Sequence, residues 1–297
     1  MSTPIVSILI VSYRNPDLTR RCLQSVEREV TGKPYEVLVL DNASGDGSAE
    51  MIRAEFPWLH LVVSEVNLGF AAANNVLARD AQGQFVLLLN PDTLVHPGAF
   101  EALLDLAVRF PDAGIYGGRT LRPSGDLDPR SCWGFQTIWS LTCFATGLSK
   151  ARKGSRIFDP ESLGSWQRDK VRRVDVVTGC LLLMRTQLWR ELGGFDATFW
   201  MYGEDQDLAI RATRAGYRAM ITPDAVVTHV MGASSTSADK VVMLLRARVR
   251  LMRKHWGPKR TQVGTFLLTV GCGLRAVAGD SNVGWRDAWR RRHEWKA

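Results

Sequence analysis

The chain predicts an α/β fold organised on a mostly parallel sheet, followed by a basic helical tail. Three observations predict it. Short apolar runs at residues 5–13, 36–40 and 85–89 carry no polar face, as strands buried on both sides do. Segments with helical spacing alternate with those runs over connections of a few residues, which is the pattern of strand–helix–strand units. The runs end in polar residues, Tyr13, Asp41-Asn42 and Asn90-Pro91-Asp92. In a parallel sheet those ends share the carboxyl edge, where open α/β sheets bind ligands.

Taken in order, residues 5–13 are the first strand. Asn15-Pro16 then reads as a cap with Pro at the first helical position, and Leu18, Cys22 and Val26 follow at helical spacing. Residues 36–40 are the second strand. Residues 43–48 are a Ser-, Gly- and Asp-rich loop, and a short helix follows over about 48–55. A third strand at 59–64 leads through Asn67-Leu68-Gly69-Phe70 into an Ala-rich helix ending near Gly83. The central strand, residues 85–89, stops at Asn90-Pro91-Asp92. That triplet is also an ordinary turn composition. Pro97 opens a helix to about Phe110, and residues 114–118 start another strand.

Residues 119–173 show little periodicity and read as connecting structure, a lid or an acceptor loop. Residues 174–184 return to strand character. A dense stretch follows, Gly193-Gly-Phe-Asp through Trp200, Tyr202, Gly203, Glu204, Asp205 and Asp207. Leu208, Ala212 and Ala215 place a helix over about 205–215, ended by Gly216. Acids at a helix start are ordinary dipole complementarity, about 0.3–1 kcal/mol each. The aromatics in front of them suggest a sugar site. His229 lies in a second strand-like piece, residues 225–230.

Composition is that of a globular protein: 45% hydrophobic and 23% charged over 297 residues. The net charge of +8 is uneven. From Lys240 onward 14 Lys and Arg stand against 3 Asp and Glu; the first 239 residues carry 24 and 27. Five dispersed cysteines without a CxxC pair exclude a zinc knuckle and point to reduced thiols in a cytosolic setting. No signal peptide is expected at the N-terminus. In the tail, Val242, Leu245, Val249, Met252 and Trp256 form an apolar stripe with Arg on the other faces. Residues 263–274 are apolar for 12 positions, short of the roughly 20 that a span needs. Trp and Arg interleave near the C-terminus. The expectation is a tail that meets an anionic membrane surface.

These stretches together resemble the inverting glycosyltransferases of family 2, with the GT-A fold, over roughly residues 5–235. The carriers are Val11-Ser12-Tyr13, Val39-Leu40-Asp41-Asn42-Ala43-Ser44, Asn67-Leu68-Gly69-Phe70, Asn90-Pro91-Asp92 and Gly203-Glu204-Asp205-Gln206-Asp207-Leu208. Gly-Gly-Phe-Asp with Tyr-Gly-Glu-Asp-Gln-Asp-Leu resembles the bacterial rhamnosyltransferase-like branch. The resemblance implies a Rossmann-like GT-A domain over 1–238, its nucleotide-sugar half about 1–120 and its acceptor half about 121–238, with the basic tail over 239–297. It implies Asp205 as general base. Ser12, Tyr13, Asp41, Gly69, Asn75 and Asp92 would bind the nucleotide-sugar, and Trp200, Tyr202 and Glu204 would shape the acceptor or sugar pocket. Asp92 and His229 would hold Mg²⁺ or Mn²⁺. Most of the family has Asp-x-Asp where this chain has Asn90-Pro91-Asp92. The donor implied is dTDP-rhamnose and the acceptor a polyprenyl-linked or growing cell-surface glycan. The place implied is the cytoplasm, peripheral on the inner face of the cytoplasmic membrane.

Two other readings compete. A nucleotidyltransferase would carry a Gly-rich, basic phosphate loop after the first strand, where this chain has Ser12-Tyr13-Arg14-Asn15-Pro16. A non-enzymatic binder would use the basic tail on lipid or nucleic acid, with nucleic acid disfavoured by the apolar stripe. The sequence leaves open whether the chain forms a homodimer.

Overall fold

The computed structural model describes residues 3–230, 237–278 and 284–296. The chain divides into two compact units. The first comprises residues 1–132, 167–200 and 207–232, and the second residues 133–166, 201–206 and 233–297.

The first unit begins with β1 (Val6–Ser12), α1 (Pro16–Val30), β2 (Tyr35–Asn42), α2 (Ser48–Glu55), β3 (His60–Ser64) and α3 (Phe70–Asp80). It continues with β4 (Phe85–Leu89), β5 (Thr93–Val95), α4 (Ala99–Arg109) and β6 (Ile115–Leu121). The apolar runs become strands because each face has a layer to meet. Val6, Ile8, Ile10, Val37, Val39, Phe85, Leu87 and Leu89 pack with Cys22, Leu23 and Val26 of α1 and Phe100 and Leu103 of α4. The alternate residues, Leu9, Leu38, Leu40, Val86 and Leu88, are buried on the opposite face. Pro16 does start α1, but Asn15 is no side-chain cap. It takes a left-handed conformation, φ 59°, and its carbonyl receives the Thr19 N–H.

β7 (Cys132–Trp133) and β9 (Val176–Val177) form a two-stranded ribbon, and β8 (Arg172–Arg173) joins the main sheet. The first unit then adds β10 (Leu181–Arg185), α7 (Thr186–Glu191), most of α8 (Glu204–Arg214) and β11 (Met220–His229). The main sheet runs β3-β2-β1-β4-β10-β6-β11-β5, with β8 beside β11. Its first half is parallel as expected: β1 pairs in parallel with β2 and β4, and β2 with β3. Its second half is mixed. β10 lies antiparallel between β4 and β6, and β5 lies antiparallel to β11. The two pieces expected after α8 are one strand, bulged between Ile221 and Val226.

The second unit is helical. It holds α5 (Ile138–Ala145), α6 (Leu148–Ala151), α9 (Ser237–His255), α10 (Pro258–Val277), α11 (Trp285–Arg290) and α12 (Arg292–Lys296). Residues 119–173 are thus more ordered than a connecting loop. α5 is hidden in the sequence because Ile138-Trp-Ser-Leu-Thr-Cys-Phe is poor in strong helix formers. A reciprocal cap between Thr137 and Ser140 starts it.

The apolar stripe of the tail is spent inside this unit. Val242, Leu245, Val249 and Met252 pack with Leu141, Leu268, Cys272, Ala288 and Trp295. Trp295 is 1% exposed and donates its indole N–H to the Ala288 carbonyl at 2.8 Å. Trp285 packs on Phe144, and the Arg275 guanidinium lies 3.7 Å from the Phe144 ring centre. The stripe that the sequence assigns to a lipid surface is interior here together with Trp295, and Trp256, Trp285 and Trp289 are partly buried against it. The cause is that α10 offers small residues: a Cβ at Gly264 or Gly271 would strike Met252 or Phe144. Among the described residues no helix is long and apolar enough to cross a membrane.

Candidate active site

The carboxyl edge of β1, β2 and β4 gathers the predicted donor residues. Ser12 and Asp41 are register partners at that edge. Ser12 is buried and its hydroxyl meets Thr19 Oγ1 at 3.0 Å. Tyr13 is half-buried, and the Arg14 guanidinium lies 5.1 Å from its ring centre. Arg14, Asn15 and Ala43 have positive φ, so the loops after β1 and β2 both turn sharply outward. They are tied together. Arg14 N–H donates to Ser44 Oγ at 2.8 Å, and Ser44 N–H donates to Asp41 Oδ2 at 3.2 Å. Asp41 Oδ1 is buried and has no partner. Asp41 Oδ1 is thus a buried acceptor at the carboxyl edge that none of the described residues satisfies.

The next loop is set by amides. Asn42 Nδ2 donates to Asn67 Oδ1, Leu68 N–H to Asn42 Oδ1, and Gly69 N–H to Asn67 Oδ1. Gly69 sits at φ 76°, ψ 171°, a region essentially reserved for glycine. Trp200 explains why the chain passes there. Its carbonyl accepts the Phe70 N–H at 2.9 Å, and a Cβ on Gly69 would land on its backbone oxygen and indole. Trp200, expected in the acceptor or sugar pocket, therefore stands against the Gly69 loop and is 47% exposed. Asn75, expected along the nucleotide, has both amide ends engaged. It donates to the Phe195 carbonyl at 2.7 Å and accepts the Phe195 N–H at 2.9 Å. Its side chain fixes the Gly193–Phe195 turn.

At the end of β4 the chain turns back at once to form β5, a strand that the local sequence does not announce. Thr93 pairs with His229 across it, and Val230 N–H donates to the Asp92 carbonyl at 2.8 Å. That register brings His229 Nε2 to 3.0 Å from Asp92 Oδ1, each side chain 20% exposed. The turn is held from below by Thr93 Oγ1–H donating to the Asn90 carbonyl at 2.6 Å. Cys22, buried beneath it, has its thiol pushed up to about 12 by desolvation, so it stays neutral. Among the described residues no group of three His, Cys, Asp or Glu converges on a metal position. Asp92 and His229 are an oxygen and nitrogen donor pair, and a divalent cation would complete its shell from diphosphate oxygens. β5–β11 pairing thus brings a second donor atom beside the one carboxylate of the Asn90-Pro91-Asp92 triplet. A further acid, Asp128, is buried nearby in sequence to β6. Burial pushes its carboxyl up, but the hydrogen bonds from Arg130 outweigh this and hold it below the usual range.

Tyr202, Gly203, Glu204 and Asp205 open α8, with Tyr202 at φ 68° and Gly203 at φ 90°. Glu204 is 5% exposed. Burial, and secondarily the Asp205 charge, holds its carboxyl well above the usual range. Asp207 has a different part. It is fully buried and binds Arg211 at 2.8 Å, and Arg211 also donates to the Leu192 and Gly194 carbonyls. This pair belongs to the first unit and fastens the Gly193-Gly194 turn. The i,i+4 spacing of Asp207 and Arg211 is visible in the sequence.

The family model described as glycosyl transferase family 2 matches residues 7–172, and that described as the N-terminal domain of galactosyltransferase matches residues 168–231. The chain belongs to glycosyl transferase family 2. This glycosyltransferase is 29% identical over 259 residues to the N-acetylglucosaminyl-diphospho-decaprenol L-rhamnosyltransferase of Mycobacterium tuberculosis, covering 80% of this chain and 79% of that protein. Its fold resembles the mannosyltransferase PcManGT of Pyrobaculum calidifontis, determined with GDP-Man and Mn²⁺. The TM-score is 0.59 at 17% identity, over 99% of this chain and 85% of that one. It also resembles GalNAc-T7, determined with UDP, GalNAc and Mn²⁺. There the TM-score is 0.61 at 15% identity, over 98% of this chain and 54% of that one. The fold is GT-A, and the protein is a nucleotide-sugar-dependent glycosyltransferase. The nucleotidyltransferase and non-enzymatic readings fall with that result.

Proposed function

We propose that this glycosyltransferase moves L-rhamnose from dTDP-rhamnose, with inversion, to a hydroxyl of a polyprenyl-diphosphate-linked or growing cell-surface glycan. The observation that carries the donor site is the pairing of Asp92 with His229 at the sheet edge that also holds the open Asp41 Oδ1. The similarity to a rhamnosyltransferase that acts on a decaprenol-linked glycan supports the sugar and the acceptor class.

Asp41 Oδ1 would accept the ring N–H of the pyrimidine, with Tyr13 against the base. The Gly69 loop and Ser12 would line the nucleotide path. Asp92 and His229 would hold Mg²⁺ or Mn²⁺, which supplies charge stabilisation to the departing diphosphate. Tyr202, Trp200 and Glu204 would contribute to the pocket for sugar or acceptor. Asp205 would take the proton of the acceptor hydroxyl as its oxygen bonds to the anomeric carbon. The bond from that carbon to the diphosphate oxygen breaks, and the electron pair leaves with the diphosphate. A positioned base contributes about 10²–10⁴-fold. Burial disfavours the charged form of the Glu204 carboxyl, which makes it the poorer base of the two acids.

The test is transfer from a panel of nucleotide-sugars to membrane extract, with and without Mn²⁺. The expected result is metal-dependent incorporation from dTDP-rhamnose above the other donors. Preference for a UDP- or GDP-sugar would overturn the rhamnosyl assignment.

A further inference from the structure

With its predicted apolar stripe turned inward, the helical unit shows a second one. On α10, Val263, Phe266, Val270, Leu274 and Val277 recur at intervals of three and four and fall on one side of the helix. The opposite side, Gly264, Leu268, Gly271, Cys272 and Ala276, is the buried one. Along the outer stripe Val263 is 48% exposed, Phe266 66%, Leu274 55% and Val277 84%. Its end-to-end rise is about 21 Å at 1.5 Å per residue. A row of this length at the surface marks an interaction face rather than a scatter of exposed side chains.

Charge identifies the occupant. α10 carries Lys259, Arg260 and Arg275 and no acid. Lys259 is exposed and lies on the same helical line as the stripe, one turn ahead of Val263. The groove along the flank of Phe266 is lined by Arg253 and Lys296 together with Thr261, Gln262, Thr265 and Thr269. Among the described residues of this unit, Glu161 is paired with Arg248, Asp239 with Arg291, Glu294 with Arg291 and Arg246, and Asp287 with Arg290. An apolar row bordered by Lys and Arg fits a helix lying in the plane of an anionic bilayer. Its side chains would enter the acyl boundary, and its cations would meet the headgroups.

We infer that the outer face of α10, Val263–Phe266–Val270–Leu274–Val277 with the Lys259, Arg253 and Lys296 rim, is a docking surface for an anionic phospholipid membrane. The inference does not depend on which sugar is transferred. It would place the enzyme on the surface that presents a lipid-linked acceptor.

The experiment is flotation of the full chain with phosphatidylcholine vesicles and with vesicles containing one-quarter phosphatidylglycerol. The Phe266→Asp/Leu274→Asp variant is measured beside it, with circular dichroism to verify its fold. The expected result is flotation with the anionic vesicles only, reduced at least tenfold in the variant. A second variant, Lys259→Glu, should lower binding more at low salt than at high salt. Equal flotation of native and double variant overturns the inference. So does absence of flotation together with a concentration-dependent dimer that the double variant abolishes, because the face would then be covered by a second copy.

Discussion

Asp92 Oδ1 and His229 Nε2 stand 3.0 Å apart because Thr93 and His229 are register partners in an antiparallel ladder. The pair joins residues 137 positions apart in the sequence. In the proposed metal site the contact would supply a second ligand where Asn90-Pro91-Asp92 replaces an Asp-x-Asp. His229→Ala should therefore retain turnover at saturating Mn²⁺ and raise the Mn²⁺ needed for half-maximal rate about 10- to 100-fold. Asp92→Ala should abolish turnover at any Mn²⁺ concentration. A Mn²⁺ titration of initial rate checks both, and an unchanged half-saturation in the histidine variant would remove His229 from the metal site.

Much of this arrangement is legible in the chain. The runs ending at Tyr13, Asp41 and Asp92 read correctly because buried parallel strands advertise themselves as unbroken apolar segments. Residues 48–55 read correctly as a helix after the Ser-, Gly- and Asp-rich loop that precedes them. β5 is not legible: Thr93–Val95 is three residues long and exists only because β11 is there to pair with it. The antiparallel insertion of β10 between β4 and β6 is likewise a matter of tertiary pairing, to which its apolar sequence is indifferent. The tail misleads in the opposite direction. Its stripe is real, but periodicity reports that a face is covered, not by what. Asn75 shows the limit at a single residue, since nothing local says that its amide will clamp Phe195, 120 positions away.

Asp205→Asn separates binding from chemistry. The variant keeps the shape of the α8 start and loses the carboxylate proposed to take the proton. Turnover should fall by about 10²–10⁴-fold, while binding of the nucleotide-sugar, read by calorimetry in the presence of Mn²⁺, should stay within a factor of a few. Near-normal turnover would pass the role of base to another group.

Gly69→Ala tests the loop that Trp200 covers. The backbone at φ 76°, ψ 171° excludes a side chain at a cost of about 1–3 kcal/mol, and the new methyl would meet the Trp200 carbonyl and indole. Gly98→Ala is the control, because Gly98 is also at positive φ but has open space around it. Thermal melting should show the larger loss at Gly69, and the donor KM should rise only there. Matching melts and an unchanged KM would mean that the Trp200 contact sets neither stability nor the donor loop.

Arg211→Met removes a guanidinium from the buried Asp207 carboxylate and its hydrogen bonds from the Leu192 and Gly194 carbonyls. Breaking a buried pair on one side costs about 3–5 kcal/mol. The double variant Asp207→Leu/Arg211→Met removes both charges and should recover part of that loss. Denaturant midpoints of the three chains measure it, and additive losses in the double variant would show that the two residues are not coupled.

Glu204 gives the protein a pH dependence of stability whose sign follows from the direction of its shift. Burial, with the neighbouring Asp205 charge second, raises the folded-state carboxyl well above its ordinary value of 4.5. The folded chain then holds a proton that the unfolded chain releases. Stability from this group is whole below about pH 4.5. It declines as pH rises toward the folded value, by up to about 1.4 kcal/mol per pH unit for one proton. Because the two acids sit side by side, the proton belongs to the pair. Glu204→Gln is neutral at every pH and should flatten that decline, so that the variant melts above the native chain at pH 8 and close to it at pH 4.5. Melting curves at half-unit steps between those limits measure the difference, and parallel curves would mean that Glu204 ionises in the folded protein as readily as in the unfolded one.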